Sequence, residues 1–334
     1  MGSVKIDGNS NIVAGHYHAP PKPPEIHPDK PGQSFRMGVV KEEHLDYQGS
    51  LVSYEQAAEE YKQVTGPASE ELALAKLRAG VKHYELASYQ EAIDCFLEAE
   101  AIYRGDPSAH QADIAGVYNN IAAVYMELGE YDKALEWFFK ALSIFEELDN
   151  ELPNTAMTCS NIGEIYKAQD NHKKAAEWHR KALMIRENTL GKKHLSTAAS
   201  YDNVATPCCM EGEYRKALYW CSKAIPIFEQ LGQEHPETAK AYTILANVFF
   251  AQGKYDNALE WYSKALTARE KVLGNEHPET ATAYSNLART HFMQYEYNKA
   301  LNWYNMALTS YEKSVSVKSK GDFSAGHYLW YTVC

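Results

Sequence analysis

Small and large apolar side chains recur along this chain with a period of 41 to 42 residues. The marker of the period is an aromatic or histidine position, held by Tyr89, Tyr131, His172, Tyr214, Tyr255 and Tyr297. Three residues after each marker comes an alanine: Ala92, Ala134, Ala175, Ala217, Ala258 or Ala300. Seven residues further comes another: Ala99, Ala141, Ala182, Ala224, Ala265 or Ala307. Nine residues before each marker lie Gly80, Ala122, Gly163, Ala205, Ala246 and Ala288. Side chains this small at one phase let two helices approach toward the short end of the ~8–10 Å interaxial range.

The large residues keep the same phase. Trp137, Trp178, Trp220, Trp261 and Trp303 stand six residues after the marker, with Cys95 in the first repeat. Ile121, Ile162, Val204, Leu245 and Leu287 hold one apolar site before it. Apolar residues at i, i+3, i+4 and i+7 predict a helix on either side of each marker. The turn inside a repeat is short, as in Leu128-Gly129-Glu130 and Gln252-Gly253-Lys254. The turn between repeats is longer, running from Leu231 to Pro236 and from Leu273 to Pro278. Gly232 and Gly274 predict left-handed helix ends, and Pro236 and Pro278 the first turn of the next helix. Glu237 and Glu279 then sit favourably at helix N-termini. No such hairpin buries its apolar face alone, so neighbours must stack.

This pattern resembles the tetratricopeptide repeat, in the 42-residue form of kinesin light chains and many bacterial relatives. The closest likeness is in LGNEHPETATAYSNLA (residues 273–288) and GKYDNALEWYSKALTAREKVLG (253–274). The resemblance implies an all-α, right-handed α-solenoid of about six helix-turn-helix repeats, with an irregular N-terminal extension. It also implies that the first helix of each repeat lines a concave surface. Eleven residues before the marker stand Asn120, Asn161, Asn203 and Asn286, with Arg78 and Ile244 in the other two repeats. In kinesin-light-chain-like repeats the matching asparagine faces the groove and hydrogen-bonds a bound peptide backbone. An amide side chain offers both donors and an acceptor for that task; the competing reading is an internal ladder between repeats. Asn247 and Arg289, three residues along in their own repeats, and Lys240 are further groove candidates, as are Val81, Ala123, Glu164, Thr206, Lys167 and Asp202. Phe250, Phe292 and Met126 offer apolar pockets or, more simply, repeat packing.

The ends break the pattern. Residues 1–34 carry a Pro-rich run (Pro20, Pro21, Pro23, Pro24, Pro28 and Pro31) and are expected to be extended or disordered. Residues 35–69 are expected to hold an N-terminal helix, either a degenerate repeat with Tyr54, Ala57 and Tyr61 in phase or an unrelated cap. The repeat array is assigned to 70–316. The tail 317–334 is aromatic, with Phe323, Tyr328, Trp330 and Tyr331. It is expected to fold back on the last repeat, to serve as a contact segment, or to be disordered.

Composition narrows the function. The formal net charge is −11, which argues against nucleic acid or an anionic membrane as partner, since both attract Lys/Arg patches. No stretch approaches the ~20 apolar residues of a membrane span. Six cysteines without CxxC spacing predict buried free thiols in a reducing cytoplasm. His194, His235 and His277 recur at the inter-repeat turns; as equivalent residues on stacked repeats they are too far apart to share a zinc, so a helix-entry role is expected. His16 and His18 have no ligand partner at metal spacing. No nucleotide-binding, metalloprotease or nucleophile-elbow motif occurs. Pro207 and Pro226 fall within helices of one repeat and predict a bend. The expectation is a non-enzymatic interaction module, without cofactor or metal, that holds a peptide or partner protein in a concave groove. A regulatory peptide sensor acting through a separate effector is the alternative. The terminal repeats offer faces for self-association.

Overall fold

A computed structural model describes residues 32–148 and 153–318. The expectations for residues 1–31, His16 and His18 among them, and for 319–334 lie outside the described residues. Among those described, every regular element is helical. The chain divides into two compact units, Met1–Ile165 and Tyr166–Cys334.

The first unit opens with α1 (Gln33–Glu43) and α2 (Tyr47–Val64), followed by α3 (Glu70–Glu85) and α4 (Tyr89–Tyr103). Then come α5 (Gln111–Glu127), α6 (Tyr131–Leu148) and α7 (Pro153–Ala168), whose last three residues belong to the second unit. The second unit holds α8 (His172–Leu190), α9 (Leu195–Met210) and α10 (Tyr214–Phe228), with a 3₁₀ turn at Glu229–Leu231. It continues with α11 (Pro236–Ala251), α12 (Tyr255–Leu273), α13 (Pro278–Met293) and α14 (Tyr297–Lys318). The six markers Tyr89, Tyr131, His172, Tyr214, Tyr255 and Tyr297 are the first residues of α4, α6, α8, α10, α12 and α14. The alanines three and ten residues after them are buried in every repeat. At Gly80 an added Cβ would lie 2.6 Å from the Phe96 ring, so the close approach of α3 and α4 requires glycine.

The structure contains one more hairpin in register than the sequence reading counted. Tyr47 opens α2 42 residues before Tyr89, with Gly38 nine before it and Ser50 and Ala57 three and ten after it, all three buried. Gly38 repeats the role of Gly80: a Cβ there would meet the Tyr54 ring at 2.7 Å. Residues 35–69 therefore carry two helices, not one, and Tyr54 is equivalent to Phe96 rather than to the marker. An ion cluster centred on buried Lys82 fastens this hairpin to α3. Lys82, 1% exposed, lies 2.7 Å from Glu42 and 2.6 Å from Glu85. The Tyr54 hydroxyl donates to Glu42 at 2.7 Å. Burial pushes the Glu42 carboxyl up, but Lys82, Tyr54 and Arg78 outweigh it and hold it below its ordinary range.

The turns explain the punctuation of the sequence. Two residues before each hairpin's second helix φ is positive: Leu45 (61°), Ala87 (58°), Gly129 (72°), Asp170 (56°), Gly212 (74°), Gly253 (73°) and Tyr295 (63°). The longer turns differ from expectation. Gly191, Gly232 and Gly274 have φ of 84°, 110° and 81° with ψ of 163°, 147° and 170°, an extended region open only to glycine rather than a left-handed helix end. Their carbonyls accept hydrogen bonds from Thr197, Thr238 and Thr280 at 2.9, 2.9 and 2.8 Å. His194, His235 and His277 cap the following helices, each Nδ1 accepting the backbone N–H two residues on, at 3.1, 3.2 and 3.2 Å.

At Pro207 the helix does not unwind: α9 stays helical through it to Met210, since proline's fixed φ is helical and a single backbone bond is lost. Beyond Pro226, α10 ends at Phe228 and passes into the 3₁₀ turn, whereas α12 remains α-helical to Leu273, the equivalent of Leu231. The described cysteines are free, and Cys159, Cys208, Cys209 and Cys221 are buried. Burial pushes the Cys95 and Cys209 thiols up to about 11, so both are neutral at physiological pH.

Candidate functional site

The first helices α9, α11 and α13 of the second unit bear five of the seven candidate residues: Asn203, Lys240, Asn247, Asn286 and Arg289. Lys240, Asn247 and Arg289 are exposed; Asn203 and Asn286 are half-buried. Asn120 and Asn161, on α5 and α7 of the first unit, are buried at 0% and 3% exposure. Beside Asn120, Asn119 accepts a hydrogen bond from Thr158 at 3.0 Å, a side-chain link between α5 and α7. The asparagine positions thus divide by burial, although the sequence spacing treats them alike.

Asn247 and Arg289 occupy the same position of consecutive repeats, and the structure brings them together on Tyr262 of α12. The Tyr262 hydroxyl donates to the side-chain carbonyl of Asn247. Burial pushes that phenol up to about 12, against the opposing pull of the neighbouring Arg289. Arg289 also sits over Phe250, its guanidinium carbon 4.3 Å from the ring centre, a cation–π contact that helps to hold the donor fork in place. Asn247, Arg289 and Phe250 form one patch of amide, guanidinium and aromatic surface on α11 and α13, underlain by the buried Tyr262 of α12. Such a patch has the donors to hold backbone carbonyls or a carboxylate and an apolar ring edge beside them.

On the first helix α9, Asp202 is 3% exposed, and its Oδ1 has no hydrogen-bond partner. Burial raises its carboxyl to about 8; Lys240 of α11 pulls it down and Glu237 pushes it up. The sequence pointed to Asp202 and Lys240 separately and gave no sign that the Lys240 charge on α11 acts on Asp202 of α9. Tyr262 was missed as a site residue; the only signal was its aromatic character at a position otherwise read as packing.

Among the described residues no group of three metal-binding side chains comes together, and no helix is long and apolar enough to cross a membrane.

A tetratricopeptide repeat profile matches residues 113–188, 157–230 and 237–313. No curated protein matches the sequence. Among solved structures, the putative kinesin light chain repeats of Podospora anserina share 22% identity over 62% of this chain and 98% of theirs, with a TM-score of 0.54. Aspartyl phosphate phosphatase F from Bacillus subtilis shares 15% identity over 90% of this chain and 73% of its own, at a TM-score of 0.64. A Rap protein complexed with competence and sporulation factor shares 15% over 85% of this chain and 76% of its own, at 0.57. At these identities the likeness is one of fold, and it agrees with the all-α solenoid of helical hairpins expected from the sequence.

Proposed function

We propose that this chain, which belongs to the tetratricopeptide repeat family, is a non-enzymatic binding module that holds a peptide or an extended segment of a partner protein along its first helices. The observation that carries the reading is the convergence of exposed Asn247 and Arg289 on Tyr262 and Phe250. These groups are pre-oriented by their own contacts, so binding costs less side-chain ordering than loose surface residues would. Asn203 and Asn286 extend the row of amides on the neighbouring first helices, and Lys240 supplies a cation. Buried Asn120 and Asn161 take a positioning role in the first unit under this reading. Free thiols suit a reducing cytoplasm.

A Rap protein of similar fold is known in complex with competence and sporulation factor. That likeness supports a variant of the same reading, in which a bound peptide is sensed and a separate effector responds.

The test is selection of a random peptide library on the full chain, followed by affinity measurement on Asn247→Ala/Arg289→Ala. Selected peptides are expected to lose at least roughly tenfold in affinity, the equivalent of one good charged hydrogen bond, with the far-ultraviolet spectrum unchanged. Peptides that bind both proteins equally, or a library from which none are enriched, would refute the assignment.

A further inference from the structure

The outer face of the last described hairpin is apolar and uncovered. On α14, Leu301, Tyr304 and Leu308 are 60%, 43% and 57% exposed. Their equivalents one repeat earlier are Leu259, Tyr262 and Leu266; Tyr262 and Leu266 are 1% and 6% exposed, closed over by α13. Two repeats earlier, Cys221 and Ile225 are 0% and 7% exposed. The positions on α14 have the side chains of a covered interface, since Tyr and Leu repeat the Tyr262 and Leu266 pair, and nothing in the described residues lies over them.

We propose that the segment that follows α14, residues 319–331, docks on this face and closes it in the place where another hairpin would otherwise lie. The segment carries Phe323, Tyr328, Leu329, Trp330 and Tyr331 and only two charged side chains, Lys320 and Asp322. Its composition therefore matches an uncharged aromatic and aliphatic surface. Its reach is sufficient. Leu308 is ten residues back from Lys318, about 15 Å along a helix. The five residues to Phe323 span up to about 17 Å when extended, and the eleven to Leu329 more than cover the roughly 26 Å back to Leu301. Gly321 and Gly326 permit the reversal of direction. A tethered segment acts at an effective concentration on the order of millimolar, which favours it over a second copy of the chain at ordinary protein concentrations. This inference is independent of the peptide-binding reading, because the face lies on α14 and uses none of the proposed binding residues.

The segment ends close to a native thiol, Cys334, which makes the docking testable by disulfide trapping in the full chain. Asn305→Cys places a thiol between Leu301 and Leu308 on the apolar face; Ser314→Cys places one about half a turn away, on the opposite face but nearer in sequence. Under mild oxidation, peptide mapping is expected to find the 305–334 link within single chains forming roughly tenfold faster than the 314–334 link, the ratio docking must impose against chain proximity. Replacing Phe323, Leu329, Trp330 and Tyr331 together by Ser is expected to abolish that preference. Equal rates, or a faster link at 314, overturn the proposal. Links between chains at 305 overturn it in favour of a second copy on this face.

Discussion

The hydroxyl of Tyr201 donates to the carboxylate of Glu187 at 2.6 Å, joining the first helix of one hairpin to the second helix of the hairpin before it. Tyr242 and Glu229 repeat the bond at 2.8 Å, and Tyr284 and Glu270 at 2.6 Å. Each ring also packs against the tryptophan of its own repeat: Trp220, Trp261 and Trp303, at centroid distances of 5.6, 5.3 and 5.7 Å. The tryptophan ladder read from the sequence is therefore half of a two-part fastener. Its other half is a tyrosine whose hydroxyl reaches back to the previous repeat.

Tyr201→Phe keeps the ring and deletes only that bond. The pair is partly solvated, so the expected loss is about 1 kcal/mol, and Tyr201→Ser, which also removes the stacking, should cost more. Urea titration checks this: the midpoint should fall with an unchanged slope. A midpoint equal to that of the parent would mean the bond contributes nothing to holding repeats together.

Glycine is required where a hairpin's two helices touch most closely in the first unit. Gly80→Ala drives a Cβ to 2.6 Å from Phe96 and Gly38→Ala to 2.7 Å from Tyr54. Overpacking of this kind costs about 1–3 kcal/mol. The double variant Gly80→Ala/Phe96→Leu frees the space, and a double-mutant cycle should show a coupling well beyond additivity. Strict additivity would remove steric contact as the cause.

Three of the short turns use a residue other than glycine at a positive φ within the six sequence-evident repeats: Ala87, Asp170 and Tyr295. Left-handed geometry costs an L-residue about 1–2 kcal/mol, partly offset by glycine's greater chain entropy. Ala87→Gly and Tyr295→Gly are expected to stabilise by about 0.5–1 kcal/mol, and Asp170→Gly by less, since Asp tolerates this region. Thermal unfolding decides; a lowered Tm for Tyr295→Gly would show that its exposed ring does more for the fold than its backbone strain takes away.

Six hairpins were legible because close helix packing leaves so little choice at the small positions. The first hairpin is harder to read because only part of the pattern survives there: Ser50 keeps the small size of the alanine, but Ser53 stands where later repeats have tryptophan, so that landmark is lost. Tyr47, Tyr54 and Tyr61 all offer a tyrosine as the marker, and only Tyr47 has the right phase. At the candidate site the spacing located Asn247 and Arg289 but could not reveal that both meet at Tyr262. It also could not separate half-buried Asn203 and Asn286 from buried Asn120 and Asn161. Spacing along one helix fixes which direction a side chain points. What covers it is decided by a neighbouring repeat some forty residues away in sequence.

Asp202 makes the second unit's stability depend on pH in an unusual direction. Its carboxyl is raised by burial to about 8 in the folded protein, with Lys240 opposing and Glu237 reinforcing the rise. In the unfolded chain an aspartate titrates near about 3.9. Between those values the folded state holds a proton that the unfolded state has released, so this group's contribution to stability declines as pH rises from about 4 to about 8. It is fully present below that window, the reverse of a salt-bridged carboxylate. Asp202→Asn retains the shape and never ionises. Its gain over the parent should therefore be small near pH 4, increase through neutrality and level off above about pH 8. Urea midpoints of parent and variant across that range test the point. A difference that stays constant with pH would show that Asp202 is ionised in the folded protein throughout, and that Lys240 meets the cost of its burial.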